Sequence, residues 1–67
     1  MYNWYDRGTL QVIDKESGET LFEIEEITIE HLYRFTTFNF ELCDYQFIKH
    51  DYDYILNNTD IKNLIEQ

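Results

Sequence analysis

Alternation of apolar and polar residues on both sides of Gly18 is the feature that most constrains the fold. The alternation runs from Thr9 to Asp14 and again from Glu19 to Glu25. A two-residue period places successive side chains on opposite faces and indicates a strand with one buried face. Gly18 can take the positive φ that a tight connection needs. The two segments therefore predict a β-hairpin.

The second strand of this hairpin has apolar side chains on one face and acidic side chains on the other. Phe22 and Ile24 share the face predicted to be buried, while Glu23 and Glu25 share the other. Side chains two residues apart on a strand are about 6.6 Å apart. We therefore expect Glu23 and Glu25 to contribute to an acidic surface.

A short helix is predicted at Ile29–Phe35, directly after the hairpin. The Thr28 hydroxyl can cap its first turn, and Glu30 suits the positive end of its dipole. The β-branched residues Ile27, Thr28 and Ile29 leave a strand as an alternative.

The following segments alternate again. Thr37–Leu42 predicts a third strand, and Tyr45–Lys49 predicts a fourth that is reached through a turn at Cys43-Asp44. Asp51–Leu56 fits either a continued strand or the start of a helix.

The chain ends in a helical pattern. Ile61, Leu64 and Ile65 share one face of a terminal helix, with Asn58 or Thr59 as its cap. All 67 residues are thus expected to form one α+β domain. Its antiparallel sheet has three or four strands, in the order ββαβ(β)α.

Catalysis and cofactor binding are not expected. Cys43 is the single cysteine, which excludes an intramolecular disulfide and a cysteine-based zinc site. Cys43 with His31 or His50 is a conceivable thiol–imidazole pair, but a small buried thiol and two surface histidines are the simpler interpretation.

No metal site is expected either. Asp51 and Asp53 resemble the opening of a calcium loop, which also requires Gly at its sixth position and Glu at its twelfth. Leu56 and Lys62 occupy those positions. A weak divalent site is conceivable, but a solvated acidic face is favoured for the side chains concerned: Glu25, Glu26, Glu30 and His31.

A reducing cytoplasm is the expected compartment. The first seven residues lack the basic and apolar regions of a signal peptide, and no apolar run approaches 18 residues. A small fold with one cysteine also suits a reducing environment.

Acidic residues dominate the charge. Fourteen Asp and Glu face five Lys and Arg, for a net charge of −9. Direct binding to DNA or RNA is excluded, because phosphate contacts need clustered basic residues. Such density destabilises the folded state by self-repulsion, which favours a function over solubility alone. The candidate partner-binding residues are Glu23, Glu25, Glu26, Glu30, Tyr33, Asp44, Asp51, Tyr52 and Asp53.

The segment Ser17–Ile24, followed by Ile27–Tyr33, resembles the hairpin-to-helix passage of small phage inhibitors of uracil-DNA glycosylase. The likeness extends over about half of the chain, and the short acidic chain as a whole looks like the DNA-mimic proteins of phages. The resemblance implies a dimer that occupies the DNA groove of a host enzyme. It places Glu30, His31 and Tyr33 near the interface, and it offers no counterpart for Tyr45–Gln67.

The expected function is therefore inhibition of a basic host DNA-binding protein by mimicry of DNA. Uracil-DNA glycosylase, a histone-like nucleoid protein, the sliding clamp and a Cas effector are the candidate targets. The alternative is a small assembly protein that dimerises through aromatic residues, namely Tyr33, Phe35, Phe38 and Phe40. Tyr2, Trp4 and Tyr5 suit either a partner contact or packing within the core or a dimer.

Overall fold

The computed structural model describes residues 3–34 and 38–66, which form a four-stranded antiparallel sheet and two helices. In chain order the elements are β1 (Arg7–Asp14), β2 (Thr20–Thr28), α1 (Ile29–Arg34), β3 (Cys43–Lys49), β4 (Ile55–Leu56) and α2 (Asn58–Ile65). The strands lie side by side in the order β2-β1-β3-β4. The predicted α+β class and element order are confirmed.

Strand β1 lies at the centre of the core. Leu10 is opposite Ile24 on β2 and Phe47 on β3, and Val12 is opposite Phe22 and Tyr45. All of these side chains point to one face because their positions alternate along the strands. The buried core consists of Leu10, Val12, Ile27, Ile29, Leu32, Tyr45, Phe47, Leu56, Ile61 and Leu64.

Both helices cover this same face. Leu32 of α1 and Ile61 and Leu64 of α2 belong to one buried cluster with Leu10 and Phe47. The opposite face of the sheet is not covered by either helix. Among residues 3–34 and 38–66, neither helix has the length and apolar character needed to cross a membrane.

A bulge in β2 sets the register of the second half of that strand. Gly8 is opposite Ile27 and Leu10 is opposite Ile24, so that both Glu25 and Glu26 face the single residue Thr9. Glu26 adopts a left-handed backbone with φ of 59°. The extra residue allows Ile24 and Ile27, three positions apart, to point toward the same core.

The prediction of a third strand at Thr37–Leu42 is wrong for the residues that the structure describes. Phe38 and Asn39 are irregular, and residues 40–42 form a turn; Thr37 lies outside the described residues. The Asn39 Oδ1 atom accepts hydrogen bonds from the backbone N–H groups of Glu41 and Leu42, both at 3.2 Å. Such a local side-chain turn competes with strand pairing.

The predicted turn at Cys43-Asp44 is also wrong. Both residues belong to β3, where they pair with Asp14 and Ile13 of β1. In the ambiguous segment Asp51–Leu56, only Ile55–Leu56 is strand.

Helix α2 begins one or two residues earlier than its predicted caps imply. Its cap is Asn57, whose Oδ1 atom accepts from the backbone N–H of Asp60 at 3.0 Å. The Asp60 carboxylate in turn accepts a hydrogen bond from the backbone N–H of Asn57 at 3.2 Å, which completes a capping box. Asn58 and Thr59 are therefore inside the helix.

Asn58 instead pairs with the outer edge of β3. Its Oδ1 atom accepts from the Tyr45 N–H at 2.6 Å, and its Nδ2 group donates to the Cys43 carbonyl at 3.2 Å. The side-chain amide thus replaces the backbone of a neighbouring strand where β4 is too short to reach.

Candidate functional site

The uncovered side of the sheet, which we call the open sheet face, carries two acidic residues without an ion-pair partner among residues 3–34 and 38–66. It consists of the residues that alternate with the core positions, including Thr9, Gln11, Glu23, Glu25, Gln46 and Ile48. Glu23 accepts a hydrogen bond from the Gln11 side chain at 2.9 Å. Within residues 3–34 and 38–66, no basic side chain lies within 4 Å of the Glu23 or Glu25 carboxylate. Both residues are exposed and have no cation partner in the described part of the chain.

A cavity of about 180 Å³ lies on this face. Its lining combines the two glutamates with residues from the end of β3 and the loop that follows: Thr9, Gln11, Glu23, Glu25, Ile48, Lys49, His50 and Tyr52. The fold thus places Tyr52 beside Glu23 and Glu25, although nearly thirty positions separate them in the chain.

The loop from Lys49 to Tyr54 holds Tyr52 outward. The backbone N–H of Tyr52 donates to the Lys49 carbonyl at 2.8 Å, and the Lys49 N–H donates to the Tyr54 carbonyl at 3.2 Å. Tyr52 has a left-handed φ of 58°, and its residue surface is 77 % exposed. A large aromatic side chain is therefore displayed on a closed loop.

Asp51 and Asp53, which flank Tyr52, share one cation. The Lys49 ammonium lies 3.2 Å from one carboxylate oxygen of each aspartate. These contacts, with Asp53 first and Asp51 second, raise the pKa of Lys49 above its ordinary 10.5. The Lys49 side chain is only 14 % exposed, so this cation is held in place. Lys49 cancels half of the charge that the sequence assigns to this pair.

Glu26 is neutralised in a different way. Its carboxylate lies 3.4 Å from the Arg7 guanidinium and 3.5 Å from Nε2 of His50. His50 also lines the cavity of the open sheet face, so Glu26 adjoins that cavity without contributing a free charge.

Three predicted residues lie elsewhere. Asp44 is at the opposite end of β3, where it contacts Lys15 at 3.8 Å and the Asn58 amide at 3.2 Å. Glu30 and Tyr33 belong to α1, on the helix-covered side. The nine predicted residues therefore do not form one continuous surface: Glu23, Glu25 and Tyr52 meet at the cavity, and Glu26, Asp51 and Asp53 border it.

The thiol–imidazole pair considered from the sequence has no supporting contact. His31 Nδ1 lies 3.2 Å from the Thr28 hydroxyl, and His50 contacts Glu26. No hydrogen bond between Cys43 and either histidine occurs in the described part of the chain. Nor do any three His, Cys, Asp or Glu side chains among residues 3–34 and 38–66 converge as a metal site would require.

Sequence reasoning missed the part played by Lys49, Gln11 and His50. Lys49 precedes Asp51 by two positions and Asp53 by four, and this spacing is the signal that could have identified the shared ion pair. Gln11 and His50 carry no comparable signal, because their neighbours come from distant strands.

No protein-family model, curated protein or solved structure matches the chain. The resemblance to phage inhibitors of uracil-DNA glycosylase stays a prediction from residue types.

Proposed function

We propose that this protein is an inhibitor that imitates DNA and occupies the basic cleft of a host DNA-binding protein. We place it in the bacterial cytoplasm and regard it as phage-encoded. The observation that carries the proposal is the pair Glu23 and Glu25, which stand without a cation on an uncovered sheet face.

Rigid placement is what makes carboxylates useful as substitutes for phosphates. Glu23 is paired with Gln11 in the regular part of β2, and Glu25 follows it at the start of the bulge, so the backbone holds both side chains on the open sheet face. Their order is established before binding, so association loses less conformational entropy than it would with a disordered acidic tail. The net charge of −9 attracts a basic cleft over long range and raises the association rate.

Tyr52 supplies what charge alone does not. Tyrosine is enriched among the residues that dominate binding energy at protein interfaces. Its exposed ring beside the two glutamates combines an apolar anchor with an acidic rim. A surface that combines an aromatic ring with carboxylates favours binding to a structured protein cleft over binding to a disordered polycation.

The test uses the full chain and purified uracil-DNA glycosylase as the first target, with the nucleoid protein, clamp and Cas effector tested in parallel. We expect the chain to inhibit or bind one of them, and duplex DNA to compete. Binding should weaken at least tenfold between about 50 mM and about 500 mM salt, because exposed charges are screened. Affinity that is independent of both salt and DNA overturns the mimicry.

A matched pair of variants locates the surface. Glu23→Gln with Glu25→Gln removes two charges from the open sheet face, and Glu16→Gln with Glu19→Gln removes two from the exposed hairpin turn. Both variants have the same net charge. We expect only the first to lose binding; equal losses would mean that overall charge, not this face, recruits the partner.

The second candidate is self-association, and the exposed edge of β2 favours it. Leu21 and Phe22 are each 53 % exposed on this outermost strand, whose edge is open to pairing. Phe38 and Phe40 are partly buried and pack against the core, and Phe35 lies outside the described residues. Sedimentation of the wild type and Phe22→Thr decides: a dimer that the variant dissociates supports this candidate, and a monomer at micromolar concentration rejects it.

A further inference from the structure

A second concave surface lies on the helix side, between the N-terminal turn and α1. It is a cleft of about 290 Å³, near the lower end of the usual size of small-ligand sites. Its lining is Trp4, Tyr5, Glu30, Tyr33 and Arg34, and we call it the aromatic cleft.

Backbone hydrogen bonds fix the N-terminal turn against the helix. The Glu30 N–H donates to the Trp4 carbonyl at 3.1 Å, and the Ile29 N–H donates to the Asp6 carbonyl at 3.2 Å. The Asn3 side chain also accepts from the Tyr5 N–H at 2.9 Å. The backbone of Trp4 and Tyr5 is thus held against α1.

The rings form a corner. The Trp4 and Tyr33 ring centroids are 5.0 Å apart, with an angle of 89° between the ring planes. Both residues remain exposed, and Tyr5 beside them is 78 % exposed. In this edge-to-face contact the edge of one ring lies over the face of the other, so a ligand meets the outward surfaces that the two rings leave exposed. Aromatic faces attract cations, with Trp the strongest.

The two charged residues of the cleft, Glu30 and Arg34, carry opposite charges, so the preference for a cation comes from the aromatic faces. The Glu30 carboxylate lies in the wall, and its partner Arg34 is 4.0 Å away, at the limit of an ion pair. The Arg34 side chain is 74 % exposed, so its hold on Glu30 is loose. An exposed pair of this kind stabilises little, and an entering cation can take over the carboxylate.

We propose that the aromatic cleft binds an alkylated ammonium group, either on a small molecule or on a methylated lysine of another protein. Such a group has a diffuse charge and few or no N–H donors, so ring faces and one carboxylate satisfy it. The proposal is independent of the open sheet face, which lies on the other side of the sheet.

Trp4 is the single tryptophan, so its fluorescence reports on this cleft alone. The full chain is titrated with choline and with 3,3-dimethyl-1-butanol, its uncharged isostere. We expect saturable binding of choline and at least fivefold weaker binding of the alcohol. Equal affinity for both would show that the cleft binds apolar groups without recognising the charge, which contradicts the proposal. Absence of saturable choline binding also overturns it.

Variants separate the ring contacts from the charge. Tyr5→Ala should weaken choline binding about two- to fivefold, the range expected for one exposed cation–π contact. Glu30→Gln should weaken it by a similar factor, whereas Arg34→Gln should strengthen it by removing the competing cation. Tyr52→Ala, at an exposed tyrosine outside the cleft, is the control and should leave the affinity for choline unchanged. Unchanged affinity in both Glu30→Gln and Arg34→Gln would contradict the assignment of the charges.

The source of the group is decided with a peptide that carries trimethyl-lysine and its unmethylated copy. Preference for the methylated peptide assigns the cleft to a side chain of a partner protein. Choline binding without peptide binding assigns it to a free small cation. Glu23→Gln with Glu25→Gln should leave both titrations unchanged, which keeps this test apart from that of the inhibitor.

Discussion

The two faces of the same sheet differ in burial: both helices pack on one face and neither packs on the other. On the helix-covered face, Leu10 and Phe47 are fully buried. On the open sheet face, their chain neighbours Gln11 and Gln46 are polar, and neither helix covers them. Because adjacent residues of one strand alternate between the two faces, stability and binding are encoded in the same segments. Substitutions on the two faces should therefore have separable effects.

The largest effect is expected from Phe47→Ala on the covered face. Removing a fully buried aromatic side chain costs about 3–5 kcal/mol. A domain of this size is worth only about that much in total, so the variant should be mostly unfolded. Circular dichroism during urea denaturation measures the loss. Phe47→Leu is the control and should retain the fold; a cooperative, native-like transition for Phe47→Ala would contradict the proposed core.

Gly8→Ala should cause the next largest loss of stability, because Gly8 is buried near the start of β1 and packs closely against β3. A Cβ atom there would collide with the Ile48 carbonyl oxygen and the Phe47 ring. Overpacking of this kind costs about 1–3 kcal/mol. Gly18→Ala is a useful comparison, because that site has open space and only the strain of a φ of 78°. Urea midpoints should rank wild type above Gly18→Ala and Gly18→Ala above Gly8→Ala; the reverse order of the two variants contradicts the close contact.

Lys49→Gln should destabilise the loop next to the open sheet face, because Asp51 and Asp53 then repel each other without their shared cation. The pKa of Lys49 is raised in the folded state, so its contribution is fully present below the unfolded value of 10.5. The contribution is lost as pH rises through the higher folded value. The difference in Tm between wild type and variant should be constant from neutral pH to about pH 9.5 and shrink above 10.5. A difference that grows with alkaline pH would refute this assignment.

The smallest effect on stability is expected from Glu23→Gln with Glu25→Gln, which tests the open sheet face itself. Exposed substitutions away from caps and core usually change the free energy of unfolding by less than about 0.5 kcal/mol. Relief of self-repulsion should make the change slightly stabilising. Urea denaturation of this variant should therefore overlap that of the wild type while partner binding is lost. A loss above about 1 kcal/mol would show that these glutamates also have a structural part.

Period-two patterning identified the sheet well wherever one face is buried. Leu10 and Val12 point inward as their alternation with Gln11 predicts, and the hairpin forms around Gly18. The alternation of Phe38 and Phe40 led to the wrong prediction of a strand, because both rings pack against the core from an irregular segment. The two rings stack with centroids 5.3 Å apart, and each meets the Tyr45 ring nearly edge-on. Alternation alone does not distinguish a strand from an irregular segment that packs two aromatic rings on a core.

The start of α2 illustrates a local signal that was present but overlooked. Asn57 and Asp60 have the spacing of a reciprocal capping box, which is visible in the sequence. The pairing of Asn58 with β3 is different in kind: it depends on how far β4 extends, a tertiary property that no local pattern contains.

Candidate site residues were predictable to the extent that they depended on strand alternation. Glu23 and Glu25 lie on the open sheet face as expected, since only their own strand decides this. The grouping with Tyr52 and the approach of Trp4 to Tyr33 both join distant segments, and composition alone does not reveal them. Counting acidic residues also overstated the number of unpaired carboxylates. Arg7 pairs with Glu26, and Lys49 pairs with both Asp51 and Asp53.

At the Glu25-Glu26 bulge, the number of residues matters more for the fold than the identity of their side chains. Deleting either glutamate would rotate Ile27 out of the interior and misalign α1, which follows at once. Replacing Glu26 by glycine would instead relieve its left-handed backbone. Insertions and deletions should therefore be tolerated in the exposed turn around Gly18 and not at Glu25-Glu26.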